Sequence, residues 1–268
     1  MKIELIVMDM DDTLMTSENH LSEKTKSYLL DLQNEGYKLA LASGRPTEGM
    51  LPTAKELKMD QYGSYIMSYN GAQTTDLAAD KVVSKKDIEK EEFDKIVDFC
   101  REHDLFVLTY DYGKIIYDGE HEYMNRESEL TGLEMEKVDD LKSYIQKSVP
   151  KVMGVDFEEN IEKITKQFGN EFNEAIDMTT SKPFFLEFMR KSVSKGAAIE
   201  ALAERLDIDV NYIVAFGDSA NDLEMFKTAG TAVAMDNASD EVKEQADMVT
   251  KSNDEDGIPY ALEQLINK

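Results

Sequence analysis

Four short apolar runs constrain this chain more than anything else in it, because each one stops abruptly at a polar turn. Ile3 to Met8 runs into Asp9, Tyr37 to Ala42 into Ser43-Gly44-Arg45, Tyr212 to Phe216 into Gly217-Asp218, and Thr231 to Met235 into Asp236-Asn237. Short apolar runs bounded by turn signals suit strands buried on both faces, as in a parallel sheet. Glu23 to Asn34, Lys195 to Leu206 and Asp222 to Thr228 lie between or after them and read as helices. Strand and helix in alternation predict an α/β core, a parallel sheet covered by helices. In such sheets the ligand sits beyond the carboxyl ends of the strands. The polar turns are therefore expected in one crevice, and that convergence weighs more than any one motif.

The middle of the chain has a different grammar. A helix is expected over Lys90 to His103, short strands over Leu105 to Tyr110 and Lys114 to Tyr117, a second helix over Glu158 to Phe168, and another strand over Phe184 to Met189. This predicts an inserted α+β domain at 84–190, splitting the core into 1–83 and 191–268.

Composition bounds the partners. The formal net charge of −25 repels phosphate backbones and anionic bilayers, so nucleic acid and membrane surfaces are not expected as partners. The same field repels a phosphorylated metabolite, so any phosphate site needs local positive charge from a metal or from placed Lys and Arg. The one cysteine, Cys100, rules out an internal disulfide and a cysteine-built zinc cluster. It is expected as a small core residue on a helix. Three histidines leave little for a histidine-based metal site, whereas a hard-metal site of carboxylates stays open. The first apolar run is too short for a signal peptide, and no run approaches membrane-span length, so a soluble cytoplasmic protein is expected. Nothing in the sequence sets the oligomeric state.

The chemistry-bearing clusters each have a plain structural alternative. In Asp9-Met10-Asp11-Asp12-Thr13, two carboxylates two residues apart just past a buried strand suit a division of labour, one attacking and one carrying a proton; an acidic turn is the simpler reading. Ser43-Gly44-Arg45-Pro46 offers a hydroxyl and free N–H groups at a helix start, which suits phosphate and equally suits a helix cap. Lys195 opens a helix at its positive end, a conflict that an anion would remove. In Gly217-Asp218-Ser219-Ala220-Asn221-Asp222, the two acids complete an oxygen-ligand magnesium site or cap a helix. Asn70-Gly71 reads as a two-residue type I′ hairpin turn, from which Asn70 offers its amide to a substrate.

Taken in order, Asp9-x-Asp11-x-Thr13, Ser43-Gly44-Arg45, Lys195 and Gly217-Asp218-x-x-Asn221-Asp222 resemble the motifs of the haloacid dehalogenase superfamily, and more narrowly the Cof-type sugar-phosphate phosphatases with a large α+β cap. The resemblance implies a Rossmann-like core and a magnesium-dependent phosphatase acting on a small phosphorylated metabolite, such as a sugar phosphate. It implies that Asp9 is the nucleophile, Asp11 the general acid and then base, and Thr13 a support of the first loop. It implies that Ser43 and Lys195 bind the transferring phosphoryl group and that Asn221 contacts phosphate. It implies that Asp9, the backbone carbonyl of Asp11 and Asp218 hold magnesium, with Asp222 in support. Asp12 stands where the family commonly has Gly, and Asp236 where a Gly-Asn pair is usual. Asp254-Glu255-Asp256-Gly257-Ile258 resembles the family's acidic C-terminal loop, without an assigned role. Arg126, Lys182 and Arg190 are basic residues of the insert available to a substrate.

Other readings compete. A phosphotransferase or sugar-phosphate mutase would share the first motif and pass the phosphoryl group to a sugar. A non-catalytic phospho-metabolite sensor would have no need of Asp11. A phosphorylated receiver would be much shorter and without an insert.

Overall fold

The computed structural model describes residues 2–266. It divides into two compact units, one taking the chain up to Ser84 and again from Ser194, the other Lys85–Val193. In chain order the strands are β1 (Leu5–Met8), β2 (Lys38–Ala42), β3 (Tyr65–Ser68), β4 (Gln73–Asp76), β5 (Lys81–Lys85), β6 (Phe106–Asp111), β7 (Lys114–Tyr117), β8 (Met135–Lys137), β9 (Val152–Val155), β10 (Ile176–Lys182), β11 (Phe185–Arg190), β12 (Ile213–Gly217), β13 (Thr231–Ala234) and β14 (Met248–Val249). The helices are α1 (Glu23–Asn34), α2 (Thr47–Glu56), α3 (Lys90–Glu102), α4 (Arg126–Thr131), α5 (Leu141–Tyr144), α6 (Glu158–Phe168), α7 (Lys195–Leu206), α8 (Leu223–Thr228), α9 (Asp240–Lys243) and α10 (Gly257–Ile266).

The first unit is built on an eight-stranded sheet in the order β14-β13-β12-β1-β2-β3-β4-β5. The strands from β14 through β3 pair in parallel, and β3 and β4 are antiparallel. The α/β core expected from the apolar runs is present. Strand β1 shows why those runs are continuous: all four of its residues are buried, and successive side chains enter opposite layers. Leu5 and Val7 pack with Ile199, Leu202 and Ala203 of α7, whereas Ile6 and Met8 pack with Leu29 of α1, Met50 of α2 and Leu262 of α10. A strand covered on both sides has no polar face to alternate with.

Register positions the candidate site. Met8 lies opposite both Phe216 and Leu41, so β1, β12 and β2 end level, and the residues beyond them emerge along one edge. The Asp9 N–H extends the ladder by donating to the Phe216 carbonyl at 3.0 Å.

The expected two-residue hairpin at Asn70-Gly71 is corrected. Strands β3 and β4 do form a hairpin, but with Ser68 opposite Gln73 the loop has four residues, Tyr69 to Ala72. Tyr69, Asn70 and Gly71 all have positive φ, at 52°, 54° and 93°. The cause is tertiary: the Tyr69 N–H donates to the Arg45 carbonyl and the Asn70 N–H to the Ser43 carbonyl, each at 2.9 Å, which draws the loop onto the β2–α2 connection. Glycine is required at 71, where a Cβ would stand 2.5 Å from the Ser194 carbonyl oxygen.

The second unit has a six-stranded sheet in the order β10-β11-β9-β6-β7-β8, antiparallel except for the β7–β8 pair. Helices α3 and α6 cover one face through Phe93, Ile96, Val97, Ile161 and Ile164, which pack on Val107, Val152, Leu186 and Phe188. Cys100 is fully buried in that layer, and burial pushes its thiol far above the ordinary range. Among the described residues, no helix is long and apolar enough to cross a membrane.

Candidate active site

The first loop is one wide helical turn, Met10–Leu14, interrupted at its centre. Asp11 is extended (φ −70°, ψ 128°) and Asp12 is left-handed (φ 58°, ψ 8°). Met10 and Leu14 anchor the turn in the core. The irregular backbone sorts the polar side chains: Asp9 and Thr13 are buried, while Asp11 and Asp12 are exposed. The left-handed φ at Asp12 accounts for glycine being usual at this place, since only Gly, and less readily Asn or Asp, enters that region cheaply.

Lys195 is the first residue of α7, whose Ser194 side chain caps the helix by accepting from the Ala197 N–H. Its ammonium is buried and donates to Asp9 Oδ1 at 2.5 Å and to Asp222 Oδ1 at 2.6 Å. The conflict of a lysine at a positive helix end is thus met by two anions. Burial would push this ammonium down; the Asp9 and Asp222 carboxylates outweigh it and hold the group above its usual range. For Asp9 the balance goes the other way. Burial pushes its carboxyl well up, Lys195 pulls it back, and the nearby Asp222 and Asp218 charges push it up again.

Asp222 serves the cap and the site together. Its Oδ2 accepts from the N–H groups of Asp218 and Ser219, both at 3.0 Å, in a capping box with Ser219, while Oδ1 faces Lys195. Gly217 permits this approach, because a Cβ there would lie 2.5 Å from that of Asp222. Asp218 directs Oδ1 at the Thr13 hydroxyl, 2.7 Å away. Burial pushes its carboxyl up to about 6; the Thr13 hydrogen bond opposes this, and the charges of Asp222 and Asp12 add to it.

Ser43 is buried at the end of β2, and its Oγ accepts from the Arg45 N–H at 3.1 Å. Gly44 lies beneath the Asn70 amide, and Asn221 Nδ2 donates to Asn70 Oδ1 at 3.2 Å. Arg45 is turned to Asp11 in a two-pronged pair, its Nε 2.9 Å from Asp11 Oδ2 and a terminal nitrogen on Oδ1, and it also reaches Asn19 Oδ1 at 3.0 Å. The pairing of Arg45 with Asp11 is invisible in the sequence. Arg126, Lys182 and Arg190 belong to the second unit. Arg126 stands 5.1 Å over the Tyr123 ring and 3.2 Å from Glu129, and Lys182 and Arg190 are exposed at the ends of β10 and β11.

One oxygen from each of Asp9, Asp218 and Asp222 falls within 4.8 Å of the others. Lys195 bonds the buried Asp9 and Asp222, and the half-buried Asp218 adds a third carboxylate, an excess of acid that a hard cation would relieve. A hard cation would be held best through Asp9 and Asp218. Each keeps one oxygen outside the bonds just described, whereas both oxygens of Asp222 are engaged. Sequence reasoning placed Asn237 in the fourth polar turn without a role and missed Asn253, which stands just before the acidic C-terminal motif; they bond to the Asp12 carbonyl and to the Met15 carbonyl at the end of the first loop.

The sequence pattern of the haloacid dehalogenase-like hydrolase family matches residues 6–262. The chain belongs to that family. It is 32% identical to YxeH of Bacillus subtilis over 98% of each chain. It is 30% identical to the 5-amino-6-(5-phospho-D-ribitylamino)uracil phosphatase YwtE of the same organism, over 99% of each. A solved haloacid dehalogenase-like hydrolase from Bacteroides thetaiotaomicron has a TM-score of 0.93 at 32% identity, covering 98% of this chain and all of that one. A second, TM0651 from Thermotoga maritima, has a TM-score of 0.88 at 27% identity and covers 98% and 97%. The family resemblance seen in the motifs extends over the chain, and the enzyme class it implies, a phosphoric monoester hydrolase, agrees with the name of YwtE.

Proposed function

We propose that this hydrolase is a magnesium-dependent phosphatase that cleaves the phosphate monoester of a small polyhydroxylated metabolite, a sugar or sugar alcohol, through a phosphoryl group carried on Asp9. The observation that carries the reading is the buried contact of Lys195 with Asp9, beside an Asp218 oriented by Thr13. Phosphoryl transfer asks little covalent work of a protein beyond one nucleophile, and much positioning and charge neutralisation. Asp9 is a carboxylate at the rigid end of a buried strand, and Lys195 is a cation fixed beside it.

In the first step an Asp9 oxygen bonds to phosphorus, the ester P–O bond breaks, and the departing oxygen takes a proton from Asp11. In the second, water attacks phosphorus, Asp11 accepts its proton, and inorganic phosphate leaves with Asp9 restored. Lys195, Ser43, Asn221 and the Gly44 N–H are the donors for phosphoryl oxygens, with the Arg45 N–H, which donates to Ser43 Oγ in the free chain, holding that hydroxyl in place. Arg45 holds Asp11 in the free chain, so a phosphate that draws the guanidinium away would release Asp11 for proton transfer. Magnesium, held by Asp9 and Asp218 with the Asp11 carbonyl, would neutralise charge on nucleophile and phosphoryl oxygens.

The substrate class is supported by YwtE, whose name carries a phospho-D-ribityl group. The test is phosphate release from p-nitrophenyl phosphate with magnesium and with chelator, then from a panel of sugar, sugar-alcohol and nucleoside monophosphates, each with and without a free sugar acceptor. Magnesium-dependent release greatest for the polyol esters is expected. Full activity in chelator would overturn the metal assignment, and phosphoryl transfer to sugar in place of water would favour a phosphotransferase.

A further inference from the structure

The acidic C-terminal motif acquires a role from its hydrogen bonds. Four side chains from two late loops tie down the first loop and the chain that follows it as far as the start of α1. Asn237, just past β13, donates from Nδ2 to the Asp12 carbonyl at 2.7 Å. Asn253 donates from Nδ2 to the Met15 carbonyl at 2.9 Å, a buried bond. Asp254 accepts from the Ser17 N–H at 2.9 Å, and Asp256 accepts from the hydroxyls of Ser22 and Thr25 at the start of α1. The first two ties are coupled, because the Asn253 N–H donates to Asn237 Oδ1 at 3.0 Å.

The Asn237 bond falls on the one residue of the turn that has left-handed backbone, Asp12. A side chain with a Cβ tends to leave that region. If Asp12 did so, the peptide planes on either side would rotate, and with them Asp11 on one flank and Thr13, the partner of Asp218, on the other. We infer that Asn237 is a positioning residue: by holding the Asp12 carbonyl, with Asn253 as its brace, it keeps the turn in the left-handed form that aims Asp11 and Thr13. This rests on the phosphatase reading above for its kinetic consequence. The structural part stands alone.

The experiment is a suppression test. Asn237→Ala removes the tie, and Asp12→Gly supplies a residue that enters left-handed backbone unaided. With p-nitrophenyl phosphate and magnesium, N237A is expected to lower kcat about tenfold with KM within about threefold, and the D12G/N237A double variant to recover most of that loss. Hydrogen exchange is read on the same proteins. The Met15 N–H, which bonds the Met10 carbonyl at 2.9 Å, should lose protection in N237A and regain it in the double variant. A residue that merely supports the C-terminal loops would lower the melting temperature without the kcat loss, and D12G would restore nothing. Either that pattern or an N237A with unchanged kcat and protection overturns the inference. Asn237→Asp keeps the acceptor for the Asn253 N–H while removing the donor, and replaces the alanine variant should that fail to fold. A wild-type enzyme inert toward phosphate esters would refute the phosphatase reading, and exchange at Met15 would still decide whether Asn237 holds the turn.

Discussion

Lys195→Met is the most informative single perturbation of this molecule. Methionine fills the volume of the lysine stem but leaves Asp9 and Asp222, both buried, facing each other without the ammonium that now touches both. Removing one partner of a buried ion pair costs about 3–5 kcal/mol. For a domain of this size that is a fall in Tm of roughly 6–20 °C. The sign with pH follows from the carboxyls. Asp9 is already held well above its ordinary range by burial, and without Lys195 it rises further. An acid raised on folding adds stability that is present below its unfolded pKa and lost as pH rises through the folded one. The deficit of the variant should therefore be full at pH 8 and shrink toward pH 5. Magnesium should reduce it at high pH by supplying positive charge to the folded state alone, and Asp222→Asn in the Lys195→Met background should restore part of it. The assay is thermal unfolding in chelator and in magnesium across that range. A Tm unchanged at pH 8 in chelator, or a deficit that grows on acidification, would refute the charge balance drawn from the site.

Further outcomes follow from the same geometry. Asp9→Asn is isosteric and should leave circular dichroism unchanged while abolishing phosphate release; substantial remaining turnover would remove Asp9 from its role. The Asp218 carboxyl, raised from 3.8 to about 6, adds stability that is full below 3.8 and lost as pH climbs through about 6, so metal-free protein should lose Tm between about pH 4 and 6. Asp218→Asn or added magnesium should flatten that slope, and a slope indifferent to both would contradict the assignment. Thr13→Val removes the hydrogen bond to Asp218, worth about 1 kcal/mol, and should weaken magnesium several-fold in a thermal-shift titration with little change in fold.

The core strands were legible because burial on both faces leaves a mark that does not depend on partners: apolar residues at every position, as in Leu5–Met8. Strands β4 and β5 carried no such mark. Gln73–Asp76 and Lys81–Lys85 are polar or mixed, and they lie at one margin of the sheet. The start of helix α2 was marked by Pro46, but its course was masked by Pro52 within it. In the site, the residue types and their convergence could be read from the order of the turns, but not which carboxylate faces which cation. Arg45 pairs with Asp11, and Asp222 commits both oxygens to Lys195 and the Asp218–Ser219 backbone, through contacts between residues 27 and 34 positions apart or between side chain and local backbone. The sequence placed Asn237 in a polar turn beyond a buried run but gave it no partner. Its meaning depends on a carbonyl 225 residues earlier.

That wide separation bears on how the protein is made. Strand β1 sits mid-sheet between β2, which leaves the ribosome soon after it, and β12, which follows some two hundred residues later. Until then one edge of β1 has no partner and its apolar side chains lack the α7 layer, a state prone to association with other chains. The Lys85–Val193 unit is continuous in sequence and can complete its fold during that interval. A nascent chain arrested before Lys195 therefore carries the whole Asp9 loop but neither the ammonium that balances it nor the asparagines that hold it, and any quality-control protease would meet an open sheet edge there.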